Sequence, residues 1–191
     1  MSSADRFQAV LEKLADDTAA QARRIANRRN ITKADKVARL AGLLNRANAQ
    51  AVALADVFTS RQLEDLTGTA RPATGVLPAD ESDRLLRSAR TALEDRDTAL
   101  ERVERLARSE PLATAQTTAT EALSGQKHSR GDYLGWVRQL NVGACQLCAH
   151  WARGDRVWPA DHWMPRHPDC KCVPRIVITP TKPRPVRKRR R

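Results

Sequence analysis

All four cysteines of this 191-residue chain fall between positions 145 and 172, as Cys145-Gln146-Leu147-Cys148 and then His167-Pro168-Asp169-Cys170-Lys171-Cys172. No other feature limits the fold so tightly. A Cys-x-x-Cys turn aims two thiolates at one point, and soft donors 19 to 24 residues later can close a tetrahedral site around one zinc ion. Cys145 and Cys148 are the firmest candidate ligands, and two more must come from His167, Cys170 and Cys172. In extended chain Cys170 and Cys172 face the same side. His167 and Cys170 lie a turn apart, with Pro168 restricting the link. The spacing leaves an all-cysteine site and a site of three cysteines and one histidine both open. Either set fills the coordination sphere with protein donors, so a structural zinc is expected rather than a catalytic one, which keeps an open position. Lys171, Arg166 and Arg153 would offset the negative charge of the thiolates.

Composition divides the chain. Of seven aromatic residues, Tyr133, Trp136, Trp151, Trp158 and Trp163 lie between 133 and 163. The part before them is rich in Ala, Leu, Arg and Glu, a composition of helices. Residues 1–124 are therefore expected to form a helical scaffold or assembly domain, 125–132 a hinge, 133–178 a zinc-binding module and 179–191 a disordered basic tail. The expected fold is mainly α, with a small zinc-stabilised α/β or β-rich C-terminal module.

Phe7, Val10, Leu11, Leu14 and Ile25 mark a first helix over 4–29. Thr32-Lys33-Ala34-Asp35 reads as the cap of a second, running through Leu40, Leu44 and Val52 to about Phe58. A short third piece ends at Gly68. Pro and Gly punctuate a loop over 69–79. Asp80 opens the next stripe, from Leu85 to Leu106, and Ser109-Glu110-Pro111 restarts a helix that fades at Ser124-Gly125. Strands are expected over 133–140, 156–158 and 172–178, with Pro174 confining the last to an edge. Residues 1–124 carry no phosphate loop, no nucleophile elbow and no histidine, so nothing there suggests catalysis.

Net charge is +12, and residues 181–191 hold seven basic residues and no acid. Lys182, Arg184, Arg187, Lys188, Arg189, Arg190 and Arg191 are candidate contacts to nucleic-acid phosphates, sequence-independent and salt-sensitive, on a proline-extended arm. No secretion signal and no membrane span is apparent, and in a reducing compartment zinc is expected in preference to disulfides.

Gly135-Trp136-Val137-Arg138, Cys145-Gln146-Leu147-Cys148, Arg153-Gly154-Asp155-Arg156-Val157-Trp158 and His167-Pro168-Asp169-Cys170-Lys171-Cys172-Val173-Pro174 together resemble the C-terminal region of tailed-phage minor capsid proteins, the Mu F-like head-morphogenesis family and its actinophage relatives. The resemblance covers residues 133–175, with Lys171 where arginine is usual. It implies a non-enzymatic head component near the portal, made in the host cytoplasm and placed in the virion head. Its partners would be portal, major capsid or scaffold proteins, with DNA touched by the tail. It also implies a metal held among Cys145, Cys148, His167, Cys170 and Cys172.

Two other readings are weighed against it. A nucleic-acid-binding zinc protein would use the tryptophans to stack on bases, whereas packing into a mini-core is the expected role. Asp161-His162-Trp163-Met164-Pro165 resembles the Asp-His-x-x-Pro core of HNH nucleases, but the segment that follows is too short for the catalytic helix. His150 and His162 are accordingly read as surface or aromatic-packed side chains.

Overall fold

A computed structural model describes residues 2–126 and 132–185. Helix α1, Ser3–Asn27, starts from a capping box in which Ser2 and Asp5 each accept the other's backbone N–H. Helix α2, Lys33–Thr67, starts from the expected Thr32–Asp35 box and stops at Gly68, whose φ of 65° gives the left-handed C-cap. Contrary to the expected end near Phe58, α2 is one helix of 35 residues. Thr59, Ser60, Gln62 and Leu63 are buried, so the packed stripe continues where the sequence turns polar.

The loop after Gly68 is tied back to α2 by Asp56, a buried carboxylate that accepts the N–H groups of Thr74, Gly75 and Val76 at 2.7–3.1 Å. Asp80 accepts from Ser82 at the start of α3, Ser82–Ala92. A break over 93–98 follows, where Asp95 accepts from Asp97 N–H and Thr98 Oγ1. Helix α4 then runs unbroken over Ala99–Ser124. The expected restart at Pro111 does not occur. Pro111 sits buried within α4, on an apolar stripe that continues from Val103 and Ala107 to Leu112 and Ala115.

Helices α1, α2 and α4 pack against one another, with α3 on α2 and α4. Ala15, Ala22, Ala51, Ala55, Ala89 and Ala115 are fully buried, and their small side chains let the helix axes approach. One core cluster joins Ala22, Leu40, Leu44, Leu85, Ala89 and Val103 at the α1–α2 turn end. A second joins Phe7, Leu11, Ala55 and Leu112 farther down, with Phe7 and Phe58 stacked at 5.4 Å.

Beyond the bundle, β1 (Tyr133–Gln139) is the central strand of an antiparallel sheet of order β2-β1-β3, with β2 at Trp158–Pro159 and β3 at Val173–Thr179. Pro174 lies on edge strand β3, opposite Arg138. Gly135 is required by close approach, because a Cβ there would come within 2.5 Å of the Trp158 carbonyl. Short helix α5, Gln146–Ala152, packs on β1. The fold is thus mainly α, with a small three-stranded antiparallel sheet in the C-terminal part.

The change in composition near 125–132 marks a change of secondary structure without a gap in packing. Leu63 of α2 and Leu123 of α4 enter the tryptophan–cysteine core, and Val173 of β3 joins Phe7 and Leu11. Lys182–Arg184 return beside β1 and β2. Pro183 lies against Gly135, and the Arg184 carbonyl accepts from Arg156 at 2.9 Å. Arg187, Lys188, Arg189, Arg190 and Arg191 lie outside the described residues, as does 127–131 of the expected hinge. Among the described residues no helix is long and apolar enough to cross a membrane.

Candidate metal centre

The two sequence motifs meet because α5 and the loop before β3 both lie against β1. Cys145 is the N-cap residue of α5 and Cys148 occupies its first turn, so one helical turn brings both sulfurs to the same side. Asp169, with φ of 61°, turns the second motif back on itself. His167 Nε2 then lies 3.3 Å from Cys145 Sγ and 3.1 Å from Cys148 Sγ. Cys148 Sγ lies 3.6 Å from Cys170 Sγ.

The donors form two overlapping triads, Cys145–Cys148–His167 and Cys148–Cys170–Cys172, each with donor atoms within 4.8 Å of one another. Zinc–sulfur and zinc–nitrogen bonds of ordinary length imply tetrahedral edges of about 3.8 Å between sulfurs and about 3.6 Å between sulfur and nitrogen. The separations of His167 from Cys145 and Cys148, and of Cys148 from Cys170, are close to these, so the cluster is compatible with a metal ion, although no four of its donors lie within 4.8 Å of one another. Cys145 is exposed, while Cys148, Cys170 and Cys172 are buried. Cys172 also has a partner of its own, donating to Asn141 Oδ1 at 3.4 Å.

Arg138 stands in the quoted motif string, but no role at the site was expected of it. Its side chain is only 2% exposed, with Nη1 3.7 Å from Cys170 Sγ and 3.9 Å from Cys148 Sγ. Nη2 donates to the Pro165 carbonyl, and the guanidinium lies 5.4 Å from the centroid of Trp151. No carboxylate pairs with it among the described residues, so the sulfurs are its only candidate counter-charge. A buried cation without one would be strongly disfavoured. The period of a strand would have flagged it, since Arg138 shares a face of β1 with Trp136, which is fully buried.

The electrostatics follow from this packing. The neighbouring Cys172 thiol, aided by Arg138, holds Cys170 down at about 4. Burial, reinforced by Cys170, pushes Cys148 up to about 12. Cys172 is also raised, chiefly by its contact with Cys170. Cys145 is lowered, first by the Cys148 backbone N–H. On metal binding the buried thiols would give up their protons.

The helical bundle holds the second motif by its backbone. Gln116 of α4, 1% exposed, donates to the carbonyls of both Cys170 and Cys172 at 2.7 and 2.8 Å. Gln8 of α1 donates to the Lys171 carbonyl at 3.1 Å, and Ser109 Oγ accepts the Asp169 N–H at 2.9 Å. Lys171 itself lies 3.9 Å from Glu12 and Arg166 donates to Thr117. Both are engaged with the helices rather than with the sulfurs.

The remaining histidines stand apart from the cluster. His150 is exposed on α5. His162 is stacked at 4.5 Å on Trp158, with planes 4° apart, and burial lowers its pKa. Asp161 and His162 belong to no metal-capable group among the described residues. Trp136 and Trp158 are core residues, whereas Trp163 is 64% exposed. No family model, no curated protein and no solved structure matches this chain.

Proposed function

We propose that this chain is an architectural, non-enzymatic protein whose C-terminal module is fastened by one structural zinc ion held by Cys145, Cys148, His167 and Cys170. The observation that carries the reading is the buried Arg138 guanidinium set against two of the sulfurs. Three thiolates around a divalent ion leave one negative charge, which Arg138 neutralises. An all-cysteine set would leave two. Cys172 is the spare donor, retained as a thiol on Asn141. When bound, the ion supplies a cross-link between α5 and the loop before β3, and the chain's residues do the positioning.

Zinc content of the chain purified without chelator tests this, with one ion per chain expected. Cys148→Ser and Cys170→Ser lose it, and Cys172→Ser keeps it. A metal-free wild-type chain with intact thiols would overturn the reading.

The setting we propose is the head of a tailed phage. The protein would be made in the host cytoplasm and incorporated near the portal as a minor component of head assembly or DNA packaging. The support is the resemblance of residues 133–175. The bundle would contact portal, major capsid or scaffold subunits, and Lys182, Arg184 and Arg187 to Arg191 would contact packaged DNA without sequence preference. Quantitative mass spectrometry of purified particles and procapsids should find it at low copy relative to the portal. Its absence from both would refute this assignment while leaving the zinc site standing.

A further inference from the structure

We propose that the outward face of the α1–α2 hairpin, at the end of the bundle remote from the cysteines, binds the phosphate backbone of nucleic acid. The site is separate from the C-terminal basic run and does not depend on the zinc or the head assignment.

Residues 23–46 contain eight basic residues and one acid, a net +7. That acid, Asp35, is engaged at the α2 cap by Thr32. Arg23 is paired with Glu104, and Lys36 donates to the Ala26 carbonyl. The other six, Arg24, Arg28, Arg29, Lys33, Arg39 and Arg46, are all exposed. None forms an ion pair among the described residues. The stretch 83–105, at the same end of the bundle, holds six arginines and six acids. Positive charge is therefore segregated onto the hairpin rather than spread over that end.

Helix geometry turns four of the six away from α4. Pairs Arg23–Glu104 and Asp16–Arg108 mark the α4 flank of α1. Arg24 and Arg28 lie about 100° and 140° around the helix from Arg23. On α2, Asn48 bonds to Glu110 of α4. Arg39 and Arg46 lie about 180° and 160° from Asn48, facing away from the bundle. They are two turns apart, about 10.5 Å along the axis. Gly42 lies between them, and Arg46 Nη1 is 3.5 Å from where a Gly42 Cβ would be. The guanidinium thus lies along the helix toward Arg39.

The chemistry of this face favours nucleic acid over a lipid surface. Between Val10 and Val57 no large apolar side chain is exposed, so nothing is available to enter the acyl region as interfacial helices do. Arginine dominates, and its planar fork matches phosphate oxygens in pairs. No aromatic side chain lies in 23–46 to read or stack on bases, so binding is to the backbone and indifferent to sequence.

The test uses the full chain with Lys182, Arg184, Arg187, Lys188, Arg189, Arg190 and Arg191 all changed to Gln, so that the C-terminal run cannot mask the hairpin. Binding to a random duplex of about 30 base pairs is followed by anisotropy between about 50 and 200 mM KCl. In this background R24Q/R28Q/R39Q/R46Q should reduce the slope of log K against log salt by about 3 to 4, and R39Q/R46Q alone by about 2. Removing equal charge from the other face with R87Q/R90Q/R96Q/R105Q should leave most of the slope intact. Helical circular dichroism and thermal melts confirm the fold of each variant. The proposal is overturned if the tail-neutral chain does not bind duplex, or if both quadruple variants lose the same slope. It is also overturned if the hairpin changes affect only phosphatidylserine vesicles.

Discussion

The two ends of this molecule build their cores from different materials. Where α1 turns into α2, the interior is Ala22, Leu40, Leu44, Leu85, Ala89 and Val103, and every one of these is content in the absence of water. Around β1, the interior is Trp136, Trp158 and Met164 together with Cys148, Cys170 and Cys172, and a guanidinium lies beside them. The first core needs only shape and burial. The second contains titratable sulfurs and a fixed charge, so its stability depends on what the sulfurs bind. Yet Leu63, Leu123 and Gln116 couple the two, which makes the bundle a mould for the loop that carries Cys170 and Cys172.

The sharpest way to break this contrast is to remove the proposed ion. Cys148 belongs to both donor triads, so Cys148→Ser should abolish metal binding and forfeit most of the roughly 10–16 kcal/mol of apparent binding free energy of such sites. Near-ultraviolet dichroism from Trp136 and Trp158 should collapse while most helical signal survives. Loss of both signals together would show that the bundle is not self-sufficient. Arg138→Met comes next. It strips the cluster of its buried counter-charge, at a cost of about 3–5 kcal/mol in the zinc-loaded protein. Arg138→Lys, which keeps the charge but not the planar fork, should recover part of that stability. A loss as large in Arg138→Lys as in Arg138→Met would mean that Arg138 acts through Pro165 and Trp151 alone.

On the bundle side, Leu44→Ala should cost about 2–5 kcal/mol by opening a cavity in a site 1% exposed. Zinc content should remain at one per chain, as thermal melts and metal analysis on one sample can show. Gln116→Leu tests the coupling itself. It leaves the carbonyls of Cys170 and Cys172 without their donor, for about 1–3 kcal/mol each. Zinc should then leave faster in a competition with a chromogenic chelator, a readout that Leu44→Ala should not move.

How much of this could be read in the chain depended on the range of the interactions. The caps at Thr32 and Gly68, the edge position of Pro174 and the convergence of Cys145, Cys148, His167, Cys170 and Cys172 are local or follow from spacing, and they were legible. The continuity of α2 past Phe58 and of α4 through Pro111 was not. Both are decided by partners distant in sequence, which bury Thr59, Ser60 and Pro111. The break at 93–98 was missed for the complementary reason, since Asp95 and Thr98 favour a local turn amid residues whose apolar stripe reads as helix. Arg138 is read only within the Gly135-Trp136-Val137-Arg138 string, and Gln116 is not singled out. Only a strand face shared with Trp136 hinted at the first, and nothing in the local pattern signalled the second.

The smallest effect concerns the bundle alone and separates the two ends by pH. Asp5 and Asp35 are held below the ordinary carboxylate range, first by the side-chain hydrogen bonds of Ser2 and Thr32 and then by the backbone N–H groups of the same residues. A carboxylate depressed in the folded state stabilises it above the unfolded value and loses that contribution as pH falls through the folded one. Thr32→Ala should cost about 1 kcal/mol at pH 7. Asp35→Asn should also be less stable than wild type at pH 7, and the two should converge as pH drops below about 4. Urea melts from pH 7 to pH 3, followed by helical dichroism on zinc-free samples, would show that convergence. A gap between Asp35→Asn and wild type that stayed constant over the whole range would mean that the α2 cap works through geometry rather than charge, and the helical end would then contribute no acid sensitivity of its own at this cap.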